Sequence, residues 1–243
     1  EYMQRILSYL RKTIENYELI EEGDKIAVGL SGGKDSFTLL MGLKALQRFY
    51  PKHFEIIAIS INPGFEFFNS IFLQEQCNKI GVPFIEEKSH IKEIVFDIRD
   101  EKNPCSLCAN LRRGILNSIA IREGCNKIAL GHNQDDALET FLLNFLYAGN
   151  LSTFAPISYM DRSKITLVRP LIDTPEKEIK KFIKRNEVEV MPKVCPMDGI
   201  SKREDMKNMI LEWEKKIPTI RANMVGAIKR SHINGWKEEN VKK

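Results

Sequence analysis

The sequence predicts an α/β fold built on a doubly wound parallel sheet of about five strands, with helical additions at both ends. Short apolar runs typical of buried strands alternate along the chain with segments whose apolar residues recur at helical spacing. Parallel strands are joined by crossover helices that cover both faces of the sheet, so this alternation favours a parallel arrangement. A chain of 243 residues is long enough to bury a full core of this kind.

Each predicted element comes from one such segment. The predicted strands are Lys25–Leu30, Glu55–Ile61, Val82–Glu86, Lys127–Gly131 and Ile165–Leu171. The predicted helices cover residues 2–20, 37–49, Ser70–Ile80, 111–119 and Leu138–Tyr147. The last of these helices is very apolar, and we expect it to lie in the core or to form a dimer surface.

The character of the chain changes near residue 173, where charged helices begin. Thr174 and Pro175 suit a helix start, and Ser201 with Glu204 fits a capping box before a later helix. We therefore expect residues 1–173 to form the main domain and residues 174–243 to form a C-terminal helical segment that contributes Cys195. The tail after Gly235 is expected to fray.

Composition excludes several classes of protein. The longest apolar runs are far shorter than the roughly 18 residues that cross a bilayer, and residues 1–12 lack the apolar core of a signal peptide. We therefore expect a cytoplasmic protein with no membrane association. The net charge of +4 permits nucleic-acid binding without demanding it. Five cysteines are an odd number, which argues against a disulfide framework and for metal or redox chemistry.

The first predicted strand leads directly into a glycine loop, Ser31-Gly32-Gly33-Lys34-Asp35-Ser36, and then into a helix. Small residues let backbone N–H groups approach a phosphate, and the helix N-terminus adds partial positive charge. Ser31 and Ser36 can donate hydroxyl hydrogen bonds, and Lys34 offers a full charge. Asp35 fits an anion site only if a divalent cation such as magnesium also binds.

Two commoner glycine motifs do not fit this loop. A Walker A loop would need glycine where Val28 stands and serine or threonine where Asp35 stands, and a dinucleotide fingerprint would need glycine in place of Ser31. The remaining alternative is a tight turn that uses glycine only for backbone freedom. We favour a phosphate loop because the hexapeptide lies where doubly wound sheets bind ligands.

A second polar segment, Gly131-His132-Asn133-Gln134-Asp135-Asp136, follows the fourth predicted strand and opens a helix at the same sheet edge. Two adjacent carboxylates there suit a magnesium ion that bridges nucleotide phosphates. The alternative is that either aspartate caps the helix. His132 is either a ligand contact or a structural histidine.

Cys105 and Cys108 form a C-x-x-C pair, and Cys195 is a remote third thiol. Such a pair can reach one metal centre while the third ligand comes from elsewhere, and three thiolates leave one coordination position open. The alternatives are a thioredoxin-like redox pair or a zinc site completed by a histidine. Cys77 and Cys125 are expected to be core residues.

The glycine loop resembles the PP-loop of the N-type ATP pyrophosphatases, whose fold is of the adenine nucleotide alpha hydrolase type. Members cleave ATP between the α and β phosphates, adenylate a carbonyl oxygen and release pyrophosphate. The resemblance implies that residues 1–173 form the PP-loop domain. It further implies a nucleotide site formed by Ser31, Gly32, Gly33, Lys34, Asp35, Ser36, Gly131 and His132.

Three further segments, Cys105–Gly114, Lys127–His132 and Val168–Leu171, resemble the tRNA 2-thiocytidine synthetase family, and the similarity covers roughly residues 20 to 225. Members thiolate a tRNA pyrimidine with ATP and carry a 4Fe–4S cluster on three cysteines. The resemblance implies tRNA and a sulfur donor such as a cysteine desulfurase as partners. It implies cluster ligands Cys105, Cys108 and Cys195, magnesium ligands Asp35 and Asp136, and catalytic roles for all five.

Two positions depart from the family pattern. Asp198 stands where members often have a further cysteine, and Asn133 stands where they usually have a second histidine. The first departure leaves three cysteines, and together the two leave the modified nucleoside open. The alternatives are a 2-thiouridine synthase, a lysidine or amide-forming synthetase, or a nucleotide-binding regulatory module. The three cysteines argue against lysidine synthesis, and the second carboxylate pair argues against a module without turnover.

Basic residues that could contact tRNA phosphates cluster in three places, although such clusters are usually solvated faces. These candidates are Lys177, Lys180, Lys181, Lys184, Arg185, Arg112, Arg113, Lys229, Arg230 and the aromatic Trp236.

Overall fold

A computed structural model describes residues 2–98, 104–192 and 201–239. The helices are α1 Tyr2–Tyr17, α2 Lys34–Leu46, α3 Ser70–Ile80, α4 Pro104–Arg122, α5 Gln134–Ala148, α6 Glu176–Arg185, α7 Lys202–Lys216 and α8 Ile220–Arg230. The strands are β1 Asp24–Gly29, β2 Phe54–Asn62, β3 Phe84–Lys88, β4 Lys127–Ala129, β5 Ile157–Met160 and β6 Ile165–Val168. A π-helical turn covers Glu93–Ile98, and a 3₁₀ turn covers Ile233–Gly235.

In these described ranges the strands form one six-stranded sheet in the order β3-β2-β1-β4-β6-β5. All neighbouring pairs are parallel except β5 with β6. The predicted doubly wound parallel sheet is confirmed, with one antiparallel edge strand added. The chain winds outward from β1 to β3 and then returns to β4 on the other side of β1. The crevice at this switch point, between β1 and β4, is where such sheets bind ligands.

Two apolar layers cover the sheet. The larger layer joins α1, α2 and α5 to one face through side chains such as Leu10, Leu40 and Leu138. The smaller layer packs α4 on the other face through Leu116 and Ile119. Because α2, α4 and α5 connect or follow parallel strands, each begins at the carboxyl edge of the sheet. The first turns of three helices therefore surround the switch point.

The C-terminal helices share the larger apolar layer. Phe182 of α6, Ile210 of α7 and Ile228 of α8 are fully buried in it. The domain boundary near residue 173 stays a prediction, and the structure shows that the helices beyond it pack on the same core.

The C-terminal tail differs from the prediction. Trp236 is completely buried, and its indole N–H donates to the carbonyl oxygen of Phe154 at 2.7 Å. The next carbonyl, of Lys237, accepts hydrogen bonds from Asn16 and Tyr17 of α1. The expected fraying after Gly235 is therefore wrong at least as far as these residues.

Three smaller differences have local causes. Ser201 stands at the N-terminus of α7, but its side chain makes no capping hydrogen bond, so the predicted capping box is wrong. Strand β6 ends at Val168 because Pro170 has no N–H for a ladder. Strand β5 was missed because alternate residues such as Ile157 and Tyr159 face outward at a sheet edge.

No helix within the described ranges is long and apolar enough to cross a membrane.

Candidate active site at the carboxyl edge of the sheet

The glycine loop leaves β1 and enters α2 without a side-chain cap. Gly33 is the N-terminal capping residue, and no side chain accepts from the N–H groups of the first turn. The hydroxyl of Ser36 donates instead to the carbonyl oxygen of Gly33 at 3.0 Å, and the hydroxyl of Ser31 donates to that of Ser36 at 3.2 Å. The N–H groups that begin α2 are therefore available to a phosphate at the positive end of the helix.

Gly32 is required by backbone geometry and by a close neighbour. Its φ of +86° is strained for other residues, and a Cβ there would lie 2.8 Å from the Cβ of Met191. The N–H of Met191 donates to the carbonyl oxygen of Gly32 at 2.8 Å. The segment that leads toward Cys195 is thus attached directly to the glycine loop. Cys195 itself lies outside the described residues.

Lys34 contacts two carboxylates. Its ammonium lies 2.7 Å from the Oδ2 of Asp35 and 3.0 Å from the Oε1 of Glu176. Burial opposes the charged state of Glu176, but hydrogen bonds and charges from Lys180, Lys34 and Lys207 outweigh it and lower its pKa to about 2. Glu176 begins α6, a helix that the sequence analysis did not connect to the site. These two contacts use two of the three donors of the ammonium.

Asn133 joins the two predicted carboxylate positions. Its side-chain oxygen accepts from the N–H of Asp136 at 3.0 Å, and the Oδ2 of Asp136 accepts from the N–H of Asn133 at 2.9 Å. The amide nitrogen of the same side chain donates to the Oδ1 of Asp35 at 2.9 Å. The first two bonds form a capping box at the start of α5. The third brings the ends of β1 and β4 together.

The two aspartates of α5 have different surroundings. Burial raises the pKa of Asp136 to about 6, the N–H of Asn133 lowers it, and the nearby charge of Asp35 raises it. Asp135 instead accepts from the N–H of Glu176 at 2.7 Å and forms an ion pair with Arg221. Asp135 therefore links α5 to α6 and α8, whereas Asp136 faces the glycine loop.

The predicted magnesium ligands fit their proposed ion by charge and by donor type. Across the residues that the structure covers, no group of three or more His, Cys, Asp or Glu side chains forms a ready metal site. Magnesium typically takes one or two carboxylates and completes its shell with phosphates and water. Asp35 and Asp136 supply that number, and a cation between them would offset the charge of Asp35, which adds to burial in raising the pKa of Asp136. Their role as magnesium ligands stays a prediction.

His132 lies between the glycine loop and β6. A Cβ added to the preceding Gly131 would lie 3.0 Å from the backbone carbon of Asp35, so the loop after β4 packs tightly on the start of α2. The imidazole stacks on Phe154 with a centroid distance of 4.2 Å, and its Nδ1 accepts from the Nε of Arg169 at 3.0 Å. Burial, followed by the charge of Arg169, lowers the pKa of His132 to about 3. The ring is neutral at any physiological pH.

Cys105 and Cys108 are the second and fifth residues of α4 and do not lie in a separate turn. Residues three apart on a helix are neighbours on one face, so both thiols can reach the same point. Because α4 begins at the carboxyl edge, that point is on the same side of the sheet as the glycine loop. This arrangement fits two ligands of a cluster, and the role of all three cysteines stays a prediction. Cys77 and Cys125 are buried, and burial raises the pKa of both thiols, as core residues require.

The profile of the PP-loop domain family matches residues 3–193. A tRNA-cytidine(32) 2-sulfurtransferase of Citrifermentans bemidjiense is 37% identical over 94% of this chain and 91% of its own length. The enzyme of the same name from Geotalea uraniireducens is 39% identical over 92% of this chain and 90% of its own.

The chain belongs to the tRNA-cytidine(32) 2-sulfurtransferase family of PP-loop proteins. The resemblance predicted from the glycine loop and the cysteine segment is therefore confirmed. Among solved structures, the U34-tRNA thiolase NcsA from Methanococcus maripaludis, determined with its [4Fe-4S] cluster, superposes with a TM-score of 0.72. It is 26% identical, and the match covers 97% of this chain and 84% of that one. Members of the tRNA-cytidine(32) 2-sulfurtransferase family are enzymes, which excludes the regulatory-module alternative.

Several residues that were predicted to contact RNA are instead buried or form ion pairs within this protein. Trp236 is buried, so it cannot stack on RNA. Lys229 forms an ion pair with Asp173 at 2.8 Å, and Lys180 and Lys181 pair with glutamates of their own helix. Arg113 is exposed beside the cysteine pair and remains a candidate.

Sequence reasoning missed three members of the site: Asn133 as a bridge, Arg169 and Glu176. Asn133 could have been found, because Asn followed three residues later by Asp at a helix start resembles a capping box. Arg169 lies in the segment Val168–Leu171 that resembles the family, but the resemblance gave it no role, and Glu176 has no local signal, because only the packing of α6 brings it to this edge.

Proposed function

We propose that this enzyme uses Mg-ATP to adenylate a pyrimidine oxygen in tRNA, which sulfur then replaces, with cytidine converted to 2-thiocytidine as the leading case. The observation that carries the proposal is the joining of the glycine loop to Asp136 through Asn133, within a chain that matches tRNA-cytidine(32) 2-sulfurtransferases over 94% of its length. Adenylation converts a poor oxygen leaving group into a good one, AMP. Sulfur can then displace it.

The first step depends on residues of the glycine loop. The uncapped N–H groups of α2 would bind the β and γ phosphates, and Lys34 would exchange Glu176 for a phosphate oxygen. Asp35 and Asp136 would hold magnesium. When bound, that ion neutralises charge that develops on the departing pyrophosphate.

The second step needs a sulfur atom near the activated carbon. We assign Cys105, Cys108 and Cys195 as ligands of a 4Fe–4S cluster, which when bound would supply that sulfur. The assignment is supported by the solved U34-tRNA thiolase with its [4Fe-4S] cluster and by the placement of Cys105 and Cys108 at the carboxyl edge of the sheet. The role of the protein is to bring the helix N-terminus that carries both thiols to the edge where ATP binds.

The partners follow from this chemistry. The proposal requires tRNA as substrate and a sulfur donor such as a cysteine desulfurase. A homodimer is a further proposal. The C-terminal half of α5 exposes the apolar side chains of Phe145 and Tyr147, whereas Leu138 and Leu142 in its first half are buried.

The test is mass spectrometry of nucleosides from the tRNA of a strain that lacks the gene, compared with the same strain after complementation. Loss of 2-thiocytidine that complementation restores is the expected result. Complementation with Asp35→Asn should fail, because the loop would lose a magnesium ligand. A thionucleoside profile unchanged by the deletion would refute thiolation as the function.

A second candidate is 2-thiouridine synthesis, because the structural neighbour that covers 97% of this chain is named for uridine 34. Asn133 also departs from the usual family residue. Loss of a 2-thiouridine with normal 2-thiocytidine in the same measurement would select this alternative.

The cluster is tested separately by iron and sulfide analysis of protein purified without oxygen. We expect about four irons per chain and loss of the cluster on Cys105→Ser, with Cys77→Ser as a matched control in a buried thiol. One zinc per chain without iron would contradict the cluster and leave only the shared site.

A further inference from the structure

A buried guanidinium that pairs with no carboxylate of the described residues lies beside the proposed nucleotide site. Arg169 directly follows β6 and is 8% exposed. Its Nε donates to His132, and one terminal nitrogen donates to the carbonyl oxygen of Ala155 at 2.7 Å. Within the described ranges no carboxylate lies within 4 Å of this guanidinium. Burial lowers the pKa of Arg169 to about 10, with a smaller contribution from the charge of Arg113.

Such an arrangement is costly unless an anion completes it. Removing a cation from water costs several kcal/mol, and a nearby anion normally offsets that cost. Here the neighbours are a second arginine, a neutral ring and the face of Phe154, whose centroid lies 4.9 Å from the guanidinium carbon. Among the described residues, no carboxylate therefore balances the positive charge at this point.

The contact with Arg169 also fixes the proton on His132. An arginine Nε is always a donor, so the Nδ1 that accepts from it must carry a lone pair. The ring is then neutral with its hydrogen on Nε2, and stacking on Phe154 fixes its plane. His132 is thus oriented as a donor through Nε2 and cannot serve as a base there.

Position connects this pair to the phosphates of the nucleotide. His132 follows Gly131, whose backbone packs against Asp35 and Ser36 at the start of α2. Strands β1, β4 and β6 are consecutive in the sheet, so the glycine loop, His132 and Arg169 succeed one another along its carboxyl edge. The pair lies on the side of the glycine loop away from β2.

We propose that Arg169 and the Nε2–H of His132 form a second phosphate site, distinct from the glycine loop, which binds the α-phosphate of the nucleotide. This inference rests on the proposed adenylation, in which that phosphate becomes the phosphate of the leaving AMP. The positive charge of Arg169 and a neutral donor on His132 stabilise the AMP as it departs, while the glycine loop binds the pyrophosphate. A backbone phosphate of the RNA has the same chemistry and is the alternative source.

The test compares the binding of AMP, pyrophosphate and an anticodon stem-loop RNA to the holoenzyme by calorimetry. Arg169→Gln should weaken AMP binding 10- to 100-fold, roughly the effect of one charge-assisted hydrogen bond, and change pyrophosphate binding by less than about twofold. Arg162→Gln is the matched control, because it removes the same charge from an exposed turn at the opposite end of β6. It should leave all three affinities unchanged.

A second measurement uses the wild-type protein and so does not depend on whether a variant folds. Nitrogen-15 NMR of the four histidines, with His132 assigned by His132→Asn, should show Nδ1 without hydrogen and Nε2 with hydrogen. Addition of AMP should shift the Nε2 signal, and addition of pyrophosphate should not.

The outcomes separate this site from the proposed function. Weaker stem-loop binding with unchanged AMP binding in Arg169→Gln would retain the phosphate site and assign it to RNA. A hydrogen on Nδ1, or affinities for AMP and stem-loop that both match the wild type, would overturn it. None of these readouts requires sulfur transfer, so failure of tRNA thiolation would leave the result for this site intact.

Discussion

Asn133 has two structural roles that a single side chain can fill because its amide carries an acceptor and a donor. The oxygen caps α5, and the nitrogen donates to Asp35 at 2.9 Å. An aspartate, which only accepts when ionised, could supply the cap but not the donor. The orientation of Asp35 in this protein therefore depends on the amide of Asn133.

We predict that Asn133→Ala lowers the free energy of unfolding by about 1 kcal/mol and also reduces ATP-dependent pyrophosphate release at least tenfold. The first effect is the loss of a cap, and the second is the loss of the contact that orients Asp35. Asn69→Ala is the matched control, because the side-chain oxygen of Asn69 caps α3 by accepting from the N–H of Phe72 and makes no hydrogen bond to Asp35 or Asp136.

Chemical denaturation and a pyrophosphate assay measure the two effects. The control should lose similar stability and keep full activity. Equal activity in the two variants would show that Asn133 is only a cap.

At the scale of elements, the first turn of α5 carries two adjacent aspartates that point to different partners. Asp135 accepts from the N–H that begins α6 and pairs with Arg221 of α8, so it fixes the relative positions of three helices. Asp136 is held near Asp35, where burial raises its pKa to about 6. From the sequence, both adjacent aspartates suited a magnesium ion. In the structure Asp135 contacts other helices, and only Asp136 lies near Asp35.

We predict opposite effects of neutralising the two aspartates at pH 8. The pKa of Asp136 is about 6 in the folded protein and near 4 in the unfolded chain, so the folded protein binds this proton more tightly. The free energy of unfolding therefore falls as the pH rises from about 4 through about 6. Asp136→Asn should therefore leave the free energy of unfolding unchanged or increase it by roughly 1–3 kcal/mol, and abolish pyrophosphate release.

Asp135→Ala should instead lower the free energy of unfolding by about 2 kcal/mol and keep activity at low temperature, because it breaks a charged hydrogen bond between helices. Denaturation at pH 8 and pH 5 distinguishes the cases, since the gain from Asp136→Asn should shrink at pH 5. A destabilised Asp136→Asn variant at pH 8 would contradict this division.

The elements that sequence reasoning recovered are those with a strong apolar pattern. β1, β2 and β4 are nearly continuous apolar runs because both faces of the sheet are covered, and α3 has the predicted bounds. β5 was missed because it is short and half exposed, and the capping box of α7 was wrong because a sequence pattern does not ensure the side-chain bond. The glycine loop was found from composition, whereas Arg169 and Glu176 reach the site only through tertiary packing.

At the scale of the whole molecule, the C-terminal segment closes the fold under the active site. The indole of Trp236 is fully buried and donates to Phe154, the residue on which His132 stacks. The same segment bonds to α1 through the carbonyl of Lys237. Residues far apart in the chain therefore support the ring of His132.

We predict that Trp236→Ala lowers the free energy of unfolding by about 3–5 kcal/mol, the usual cost of removing a buried tryptophan. It should also broaden or split the NMR signals of His132, because Phe154 would lose the hydrogen bond that fixes it. Phe49→Ala is a control that removes a large aromatic residue 54% exposed and should change stability by less than about 1 kcal/mol. Unchanged His132 signals in a folded Trp236→Ala variant would show that the C-terminal tail does not affect the position of His132.

The bond between Trp236 and Phe154 spans 82 positions in the chain, and this has a consequence for timing. A ribosome adds about 5–20 residues per second, so roughly 4–16 s separate the synthesis of Phe154 from that of Trp236. During that interval the glycine loop and the α5 aspartates have already emerged, but the support beneath His132 is missing. A nascent chain can therefore form its sheet well before it can position a nucleotide for reaction, and the enzyme becomes competent only once Trp236 has been translated and packed.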